Sequence, residues 1–328
     1  MTDTSNLTGP RLTGPKLSGH SPFPRRFYAY LKERFPLLNH GILIISYYSS
    51  NQFLAQVLEE TGDAIHYSPY SIMGGITLFC MFFHLRIFDE HKDYEDDCQY
   101  YPDRLLSKGW ITLTHLKYFG AAAILIELIL SFIRGTPALI AGLLAIGFSI
   151  LMLKEFFISK WLKEHFLIYA LSHMLIMPFF ALVVYSFTTN KYPWEAPGWF
   201  WVYAFVGFFV TMNWEISRKI RAPEDEIDGV ETYSKIFGSY GAAYLVVLVR
   251  IIDTGMVFFV GHHIGLSVWF YIVLILLFLM TLVGLLQFRF NTSAKTAKRM
   301  ETYAGLYIIA FDLTLAIEII REYPFSLF

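Results

Sequence analysis

Three aspartates in one acidic stretch have the residue type and the spacing to bind a metal ion. Asp89, Asp93 and Asp97 recur every fourth residue within the stretch Arg86–Gly109, so a helix would place all three carboxylates along one face. Like charges at this spacing destabilise a helix unless something offsets their repulsion. Mg²⁺ is the simplest candidate, because it binds through one or two carboxylates together with substrate phosphates.

The location of this stretch helps to distinguish a metal site from a solvated acidic helix end, which is the alternative interpretation. The stretch follows directly on the apolar run PYSIMGGITLFCMFF, at the mouth of a predicted membrane-spanning segment. Ionisable groups in such a position generally serve a function. The location therefore favours the metal site.

A second acidic stretch, NWEISRKIRAPEDEIDGVETYSKIFG, follows another apolar run four runs later. Its carboxylates include those of Glu224, Asp225 and Asp228. The recurrence suggests two related halves, each of which places carboxylates at one mouth of a helical bundle. Two such clusters that face each other would hold divalent ions and, through them, a diphosphate. A hydrated loop is the alternative here, because Pro223 interrupts the helix.

Basic residues near the two acidic stretches could complete a diphosphate site. A diphosphate leaving group must be neutralised as its bond to carbon breaks, and Lys, Arg and Mg²⁺ are the usual means. The candidates that would bind the diphosphate are Arg104, Lys154, Arg218, Lys219 and Arg221. The alternative is that these residues only follow the positive-inside rule, which places Lys and Arg in cytoplasmic loops without any substrate.

The composition of the chain is that of a membrane protein. Of its 328 residues, 55% are hydrophobic and only 16% are charged, and the mean hydropathy is +0.46. An ordinary soluble domain has about 25% charged residues. The net charge of −1 and the lack of a basic patch interleaved with aromatic residues argue against a nucleic acid partner.

Nine apolar runs predict an all-α membrane protein with nine transmembrane helices in two pseudo-repeated halves. Each run is long enough to cross a bilayer, which takes about 18 residues or more. The runs lie roughly at 40–58, 69–88, 116–133, 136–154, 166–187, 196–216, 240–261, 266–288 and 302–320.

The chain before the first apolar run has two parts. Residues 1–24 are rich in Gly, Pro, Ser and Thr, which predicts a disordered tail, and residues 25–328 form the membrane domain. This domain begins with an amphipathic lead-in over residues 25–36. Lys and Arg are concentrated in the N-terminal segment and in alternate loops, so we expect the N-terminus and both acidic stretches to be cytoplasmic.

Polar residues inside the apolar runs predict which helix faces point into the bundle. Arg250 and Asp253 are three residues apart and are expected to pair with each other inside the bundle. A polar group at membrane depth must face protein or a cavity. By this argument the further inward positions are Glu127, His173, Asn213 and Asp312.

The arrangement of apolar runs and acidic stretches resembles the UbiA superfamily of intramembrane prenyltransferases, over essentially the whole chain after the tail. The first motif of that family, NxxxDxxxD, leads on to RPxRPLxxG. In this chain Asp89, Asp93 and Asp97 occupy the three motif positions, and RLLSKG from Arg104 to Gly109 stands for the RPLxxG portion. Asp89 replaces the asparagine, and the prolines are absent.

Two further elements of the family are present in altered form. The second motif, EIxRDIxDxEGDxxxGxxT, keeps its flanks here as EISRKI and GVETYSKIFG, but Lys219 stands where the family often has Asp. The third element, YxxxK, would place its lysine at Lys154, with Ile150 in place of the tyrosine. Such departures are typical of a divergent subfamily.

The resemblance implies a Mg²⁺-dependent enzyme that ionises an isoprenyl diphosphate within the membrane lipid and transfers the prenyl group to a lipophilic or aromatic acceptor. The implied metal ligands are Asp89, Asp93, Asp97, Glu224 and Asp225, and the implied catalytic carboxylates are these five and Asp228. A terpene cyclase on the same scaffold is the alternative, since it shares the ionisation step. A secondary transporter is a remote alternative, because transporter sites usually lie near the membrane midplane, whereas the carboxylates of this chain cluster at one membrane face.

Overall fold

A bundle of long helices makes up nearly all of the structure. A computed structural model describes residues 17–59 and 64–327 of the chain. The α-helices are α1 (Phe23–Arg34), α2 (Leu37–Leu58), α3 (Pro69–Lys92), α4 (Tyr94–Tyr100), α5 (Leu113–Arg134), α6 (Thr136–Leu153), α7 (Ser159–Glu164), α8 (Phe166–Met174), α9 (Ile176–Thr189), α10 (Gly198–Arg218), α11 (Tyr233–His263), α12 (Val268–Phe290) and α13 (Ala294–Glu322). Short 3-10 turns lie at Glu155–Phe157, Pro193–Glu195 and Pro223–Asp225.

Seven helical segments in the described part of the chain are long and apolar enough to cross a membrane. They are α3, α5, α6, the consecutive pair α8 and α9 taken as one segment, α11, α12 and α13. The two other predicted spans coincide with α2 and α10, which are 22 and 21 residues long but fall outside that set. The prediction of a mainly helical membrane protein is therefore confirmed, and the count of nine spans stays a prediction.

Two of the apolar segments contain breaks with identifiable causes. The helix of the fifth segment ends at Met174 and restarts at Ile176, because Pro178 has no N–H to donate to the carbonyl of Met174 and its ring clashes with that carbonyl. Within α11, Gly238 has φ of 72° and ψ of 156°, which breaks the helical path. The predicted span 240–261 begins just after this glycine.

A short parallel sheet closes the end of the bundle that lies opposite the acidic stretches. Strand β1 (Ile65–Tyr67) immediately precedes α3 and pairs with strand β2 (Phe325–Leu327), with Ile65 opposite Phe325. This pairing joins the segment between α2 and α3 to the segment that follows α13. Nothing in the apolar pattern predicted the sheet, because each strand is only three residues long.

Helix α1 covers most of the segment predicted as the lead-in and packs against the first acidic stretch. Tyr30 is fully buried, and the rings of Phe27 and Phe119 stack at 4.2 Å. Arg34 Nε lies 2.6 Å from Glu90 Oε1, which ties the end of α1 to α3. Of the predicted tail, residues 1–16 lie outside the described residues, and Leu17 packs against the same cluster as α1.

The predicted inward polar positions are confirmed. Glu127, Asn213 and Asp312 are at most 1% exposed, and His173 is 5% exposed. The predicted pairing inside α11 is also present, since Arg250 Nη1 donates to Asp253 Oδ2 at 2.8 Å. Arg250 Nη2 donates to Asn213 Oδ1 at 2.8 Å, so the pair also joins α11 to α10.

Removing Asp253 alone should be far more damaging than removing the pair. The change Asp253→Leu leaves the fully buried Arg250 guanidinium without its counter-charge, and we expect it to cost about 3–5 kcal/mol of stability. The double change Arg250→Met with Asp253→Leu should recover most of that loss. As a control, Lys298→Leu removes an ion pair of the same spacing whose lysine is 69% exposed, and it should cost less than about 1 kcal/mol. Unfolding in mixed micelles measures all three, and equal losses for the single and double changes would contradict the prediction.

Candidate active site

The three aspartates of the first stretch lie on one nearly continuous helical run, as predicted. The backbone N–H of Asp93 donates to the carbonyl of Asp89, and that of Asp97 donates to the carbonyl of Asp93, each at 2.8 Å. These bonds carry the helical path from α3 through Asp93 into α4. The sequence spacing therefore translates into carboxylates stacked one turn apart.

The Asp93 carboxylate is the least compensated of the three aspartates, since Asp89 pairs with Lys92 and Asp97 pairs with two arginines. It makes no hydrogen bond and no ion pair with any residue that the structure describes. Burial raises the pKa of the Asp93 carboxyl above its usual range; the Lys92 ammonium opposes this rise, and the carboxylates of Asp89 and Asp97 add to it. A cation bound here would relieve the repulsion between the three carboxylates.

Lys92 lies within the candidate site, although no sequence motif singles it out. Its Nζ lies 3.3 Å from Asp89 Oδ1 and 5.2 Å from the centre of the Tyr169 ring, and its side chain is 11% exposed. The last turn of α3 therefore supplies a cation between the first two aspartates and α8. Its proximity to Tyr169 depends on how α3 packs against α8, which no local pattern shows.

Two arginines hold the third aspartate. Arg34 Nη2 lies 3.3 Å from Asp97 Oδ2, and Arg104 forms an ion pair with the same oxygen. Arg34 is itself fixed by Glu90, and the Arg104 guanidinium lies 3.9 Å from the centre of the Tyr101 ring. In the described part of the chain Asp97 Oδ1 has no partner, so the arginines orient the carboxylate and leave this oxygen for a ligand.

The second stretch brings its own cations to the end of α10. Glu215 forms ion pairs with Arg218 and with Lys219, whose Nζ lies 2.9 Å from Glu215 Oε1. Lys219 Nζ also lies 4.8 Å from the centre of the Phe166 ring, at the start of α8. Arg218 interacts electrostatically with Asp89 of the first stretch. The ends of α3 and α10 are therefore close in space.

The acidic residues of the second stretch have unequal surroundings. Asp225 Oδ2 is buried and has no hydrogen-bond partner in the described residues, while Arg221 Nη1 donates to the backbone carbonyl of Asp225 at 3.2 Å. Glu224 and Asp228 are exposed. Of the candidate ligands in this stretch, only Asp225 therefore has a carboxylate oxygen that is buried and unsatisfied.

A glycine in the second stretch packs directly against the first. Gly229 has φ of 82°, and a Cβ there would fall well inside van der Waals contact with the Tyr100 hydroxyl at the end of α4. Only glycine both adopts this conformation at little cost and leaves room for the ring. The two acidic stretches are therefore in contact.

Replacing this glycine should separate the two stretches. We expect Gly229→Ala to lower any activity of the site about tenfold, because positive φ costs alanine roughly 1–2 kcal/mol and the added methyl group displaces Tyr100. Gly265→Ala is the matched control, since Gly265 has φ of 71° but nothing within 4 Å of an added Cβ. Parallel activity and thermal unfolding assays compare the two variants, and equal losses of activity would contradict the role assigned to the Tyr100 contact.

The third family element, at the end of α6, has a backbone conformation that the sequence did not predict. Glu155, Phe156 and Phe157 have φ of 45°, 54° and 61°, a left-handed run that residues other than glycine rarely adopt. This run leaves Lys154 exposed and buries Glu155, whose Oε1 accepts a hydrogen bond of 3.5 Å from the Tyr169 hydroxyl. The predicted diphosphate ligand Lys154 thus lies at the surface beside an inward carboxylate.

The donor set fits a magnesium ion that is shared with a phosphate group. No three acidic, His or Cys side chains in the described part of the chain are close enough to hold an ion by themselves. Mg²⁺ needs only one or two protein carboxylates when a substrate phosphate supplies further oxygens. The unpartnered carboxylate of Asp93 and the buried Asp225 Oδ2 are oxygen donors of the type that Mg²⁺ prefers.

Comparison with known proteins decides the family. The sequence profile of the UbiA prenyltransferase family matches residues 31–309. The chain belongs to this family. The UbiA fold is also seen in a solved UbiA homologue from Aeropyrum pernix K1, with a TM-score of 0.66 and 12% identity over 86% of this chain and 97% of that one. A solved digeranylgeranylglyceryl phosphate synthase has a TM-score of 0.59 and 16% identity over 90% of this chain and 99% of that one.

Family membership confirms the resemblance inferred from the two acidic stretches. No curated protein sequence matches the chain significantly. At 12% and 16% identity, the two solved structures show a common fold and nothing more about activity. The chain is a multi-pass membrane protein of a family whose members are prenyltransferases.

Proposed function

We propose that this UbiA-family chain is a Mg²⁺-dependent intramembrane prenyltransferase, which ionises an isoprenyl diphosphate and transfers the prenyl group to a lipophilic or aromatic acceptor. One observation carries the proposal. The Asp93 carboxylate has no partner among the described residues and lies between two further aspartates, of which Asp89 interacts with Arg218 at the end of α10. Such an arrangement suits a cation with a bound diphosphate better than it suits a structural role.

The proposed ligands follow both acidic stretches. Asp89, Asp93 and Asp97 would hold one ion, and Glu224 and Asp225 would hold a second, with Asp228 as a further catalytic carboxylate. When bound, Mg²⁺ would supply positive charge to the leaving diphosphate. The side chains proposed to grip the diphosphate are Arg104, Lys154, Arg218, Lys219, Arg221 and Lys92.

The proposed reaction exchanges one bond of the prenyl carbon for another. The bond from C1 of the prenyl group to oxygen breaks, and both its electrons leave with the diphosphate, so that an allylic cation remains. An electron pair of the acceptor then forms the new bond to C1, and the acceptor loses a proton. The cations at Lys92, Arg104 and Arg218 favour the first step, because they face the charge that develops on the diphosphate.

The proposed orientation places both acidic stretches, and with them the N-terminus, on the cytoplasmic side. It is supported by the excess of Lys and Arg in the N-terminal segment and in the loops that carry the two stretches. A water-soluble prenyl diphosphate would then reach the site from the cytoplasm, and its apolar chain would enter the bundle. Labelling of intact cells from outside with a thiol reagent tests this orientation. The thiol of an Asp228→Cys variant should stay unlabelled, because Asp228 is exposed on the cytoplasmic side in this proposal.

The test of the proposed activity separates ionisation from simple hydrolysis. The purified chain in lipid nanodiscs is given geranylgeranyl diphosphate or its 2,3-saturated analogue, with Mg²⁺ or with EDTA. We expect diphosphate release from the allylic substrate only, and only with Mg²⁺, because the saturated analogue cannot form an allylic cation. Equal release from both compounds would indicate attack at phosphorus and would overturn the proposal.

A further inference from the structure

A groove on the outer surface lies between the C-terminal end of α12 and the N-terminal end of α13. It has a volume of about 370 Å³, which is within the range of about 300–1,000 Å³ that is usual for ligand pockets. None of its residues belongs to the candidate active site. Its lining has an apolar part, made of Val283, Leu286 and Phe290, and a polar part, made of Gln287, Asn291, Thr296 and Arg299.

The apolar side chains of the groove face out of the bundle. Val283, Leu286 and Phe290 are 44%, 50% and 85% exposed. They lie on α12, which is apolar enough to cross a membrane, so lipid is what surrounds them there. Phe290 is the last residue of this helix. The apolar part of the groove therefore extends to the level at which the acyl chains of the bilayer give way to its headgroups.

Arg299 fixes the polar part of the groove. Its Nη1 donates to Gln287 Oε1 at 3.2 Å, which joins α13 to α12. A guanidinium has five N–H groups, and the other N–H groups of Arg299 have no acceptor in the described part of the chain. The Thr296 hydroxyl, by contrast, donates to the backbone carbonyl of Asn291 at 2.6 Å. Arg299 is thus held in the groove with donors left for an anion, and phosphate is a preferred partner of arginine.

The turn that carries the groove is strongly basic. Residues 289–299 include no acidic residue, and their basic residues are Arg289, Lys295, Lys298 and Arg299. Among these, Lys298 Nζ pairs with Glu301 Oε1 at 2.8 Å. Positive charge at the end of a membrane span attracts anionic lipids, by a factor of about five in affinity for each Lys or Arg near the surface. The charge of the turn therefore favours a ligand with net negative charge.

We propose that this groove binds an anionic phospholipid, with the lipid phosphate at Arg299 and one acyl chain along Leu286 and Val283. A polar end beside an apolar side matches the two parts of a phospholipid, whereas a soluble anion would match the polar end alone. A zwitterionic phosphatidylcholine also brings a trimethylammonium group, which the basic turn repels. The site is independent of the proposed reaction, since it uses none of the side chains assigned to that reaction.

Photo-crosslinking from within the groove tests the proposal. Phe290→p-benzoylphenylalanine extends a ring that is already 85% exposed, so we expect the fold to be kept. The full chain is placed in nanodiscs that contain equal amounts of phosphatidylglycerol and phosphatidylcholine with the same acyl chains. After irradiation, mass spectrometry identifies the crosslinked lipids. We expect about fivefold more phosphatidylglycerol than phosphatidylcholine, and equal amounts would overturn the proposal.

Two substitutions on α13 distinguish a bound lipid from general attraction to the basic turn. Arg299→Gln removes the proposed phosphate ligand and should bring the ratio of the two crosslinked lipids close to one. Lys298→Gln removes the same charge from a lysine that is 69% exposed and does not line the groove, so solvent screens it. It should lower the ratio less than about twofold. Equal losses from the two substitutions would contradict a phosphate site at Arg299.

A conservative substitution and a second crosslinking position complete the test. Arg299→Lys keeps the charge but not the planar fork of donors, and should retain part of the preference. The photoreactive residue at Leu125, which is 58% exposed on α5, should crosslink the two lipids in nearly equal amounts. A preference at Leu125 as large as that at Phe290 would show that the groove has no selectivity of its own and would overturn the proposal.

Discussion

The change Asp93→Asn should reduce diphosphate release at least about a hundredfold, the size of effect seen when a single charge-stabilising group is lost. Asparagine keeps the shape of the side chain but removes the negative charge that would hold the ion. The same change should leave the melting temperature unchanged or raise it, because burial of the charge and repulsion from Asp89 and Asp97 both raise the pKa of Asp93, and asparagine removes both costs. Loss of activity with full stability is the expected signature.

The neighbouring Asp96 provides the control for this experiment. It lies on α4 like Asp97, but its side chain is exposed. Asp96→Asn should therefore leave diphosphate release within about twofold of wild type, as surface changes usually do. Full release by the Asp93→Asn variant would contradict the proposed metal site, and so would an equal loss from both variants.

Lys92→Met should lower diphosphate release by about a hundredfold, and Lys154→Met should lower it much less. Lys92 is 11% exposed and lies between Asp89 and the Tyr169 ring, whereas Lys154 is exposed at the end of α6. A cation held in a partly dry site neutralises developing charge far better than one in water. Methionine keeps most of the aliphatic length, so packing should change little.

Rates of diphosphate release measured over a range of prenyl diphosphate concentrations separate effects on substrate binding from effects on the later chemistry in these two lysine variants. If Lys92 faces the developing charge, its loss should lower kcat more than it raises KM. A small effect at Lys92 together with a large one at Lys154 would reverse the assignment. It would also indicate that Lys154, the lysine of the YxxxK element, binds the diphosphate as the family resemblance implies.

The sequence predicted those features that follow from local chemistry. Charges in apolar runs must find partners, so the pairing of Arg250 with Asp253 and the inward position of Asn213 could be read from residue type alone. Asp89 and Asp93 are four residues apart, and this spacing places them on one face of the helix because the helical path continues between them. The UbiA resemblance came from these same residues and is confirmed.

The features that the sequence did not reveal depend on contacts between distant elements. The left-handed run that includes Glu155 and Phe156 contains no glycine, and glycine is the residue that usually indicates positive φ in a sequence. The sequence therefore did not predict this conformation. No local pattern distinguishes Lys92 from other loop lysines, since only the packing of α3 places it beside Tyr169. The break before Pro178 did have a signal in the sequence, because a proline inside an apolar run interrupts the helix before it.

Identification of the product tests the central claim most directly. The purified chain in nanodiscs, with Mg²⁺ and geranylgeranyl diphosphate, is incubated with and without an extract of cell lipids, and the products are analysed by mass spectrometry. A prenyltransferase should release diphosphate and, only with the extract, form an adduct heavier than an extract component by one prenyl group less a hydrogen. A cyclic hydrocarbon or alcohol formed without extract would contradict transfer and indicate a cyclase. In liposomes, movement of substrate across the membrane without diphosphate release would contradict both.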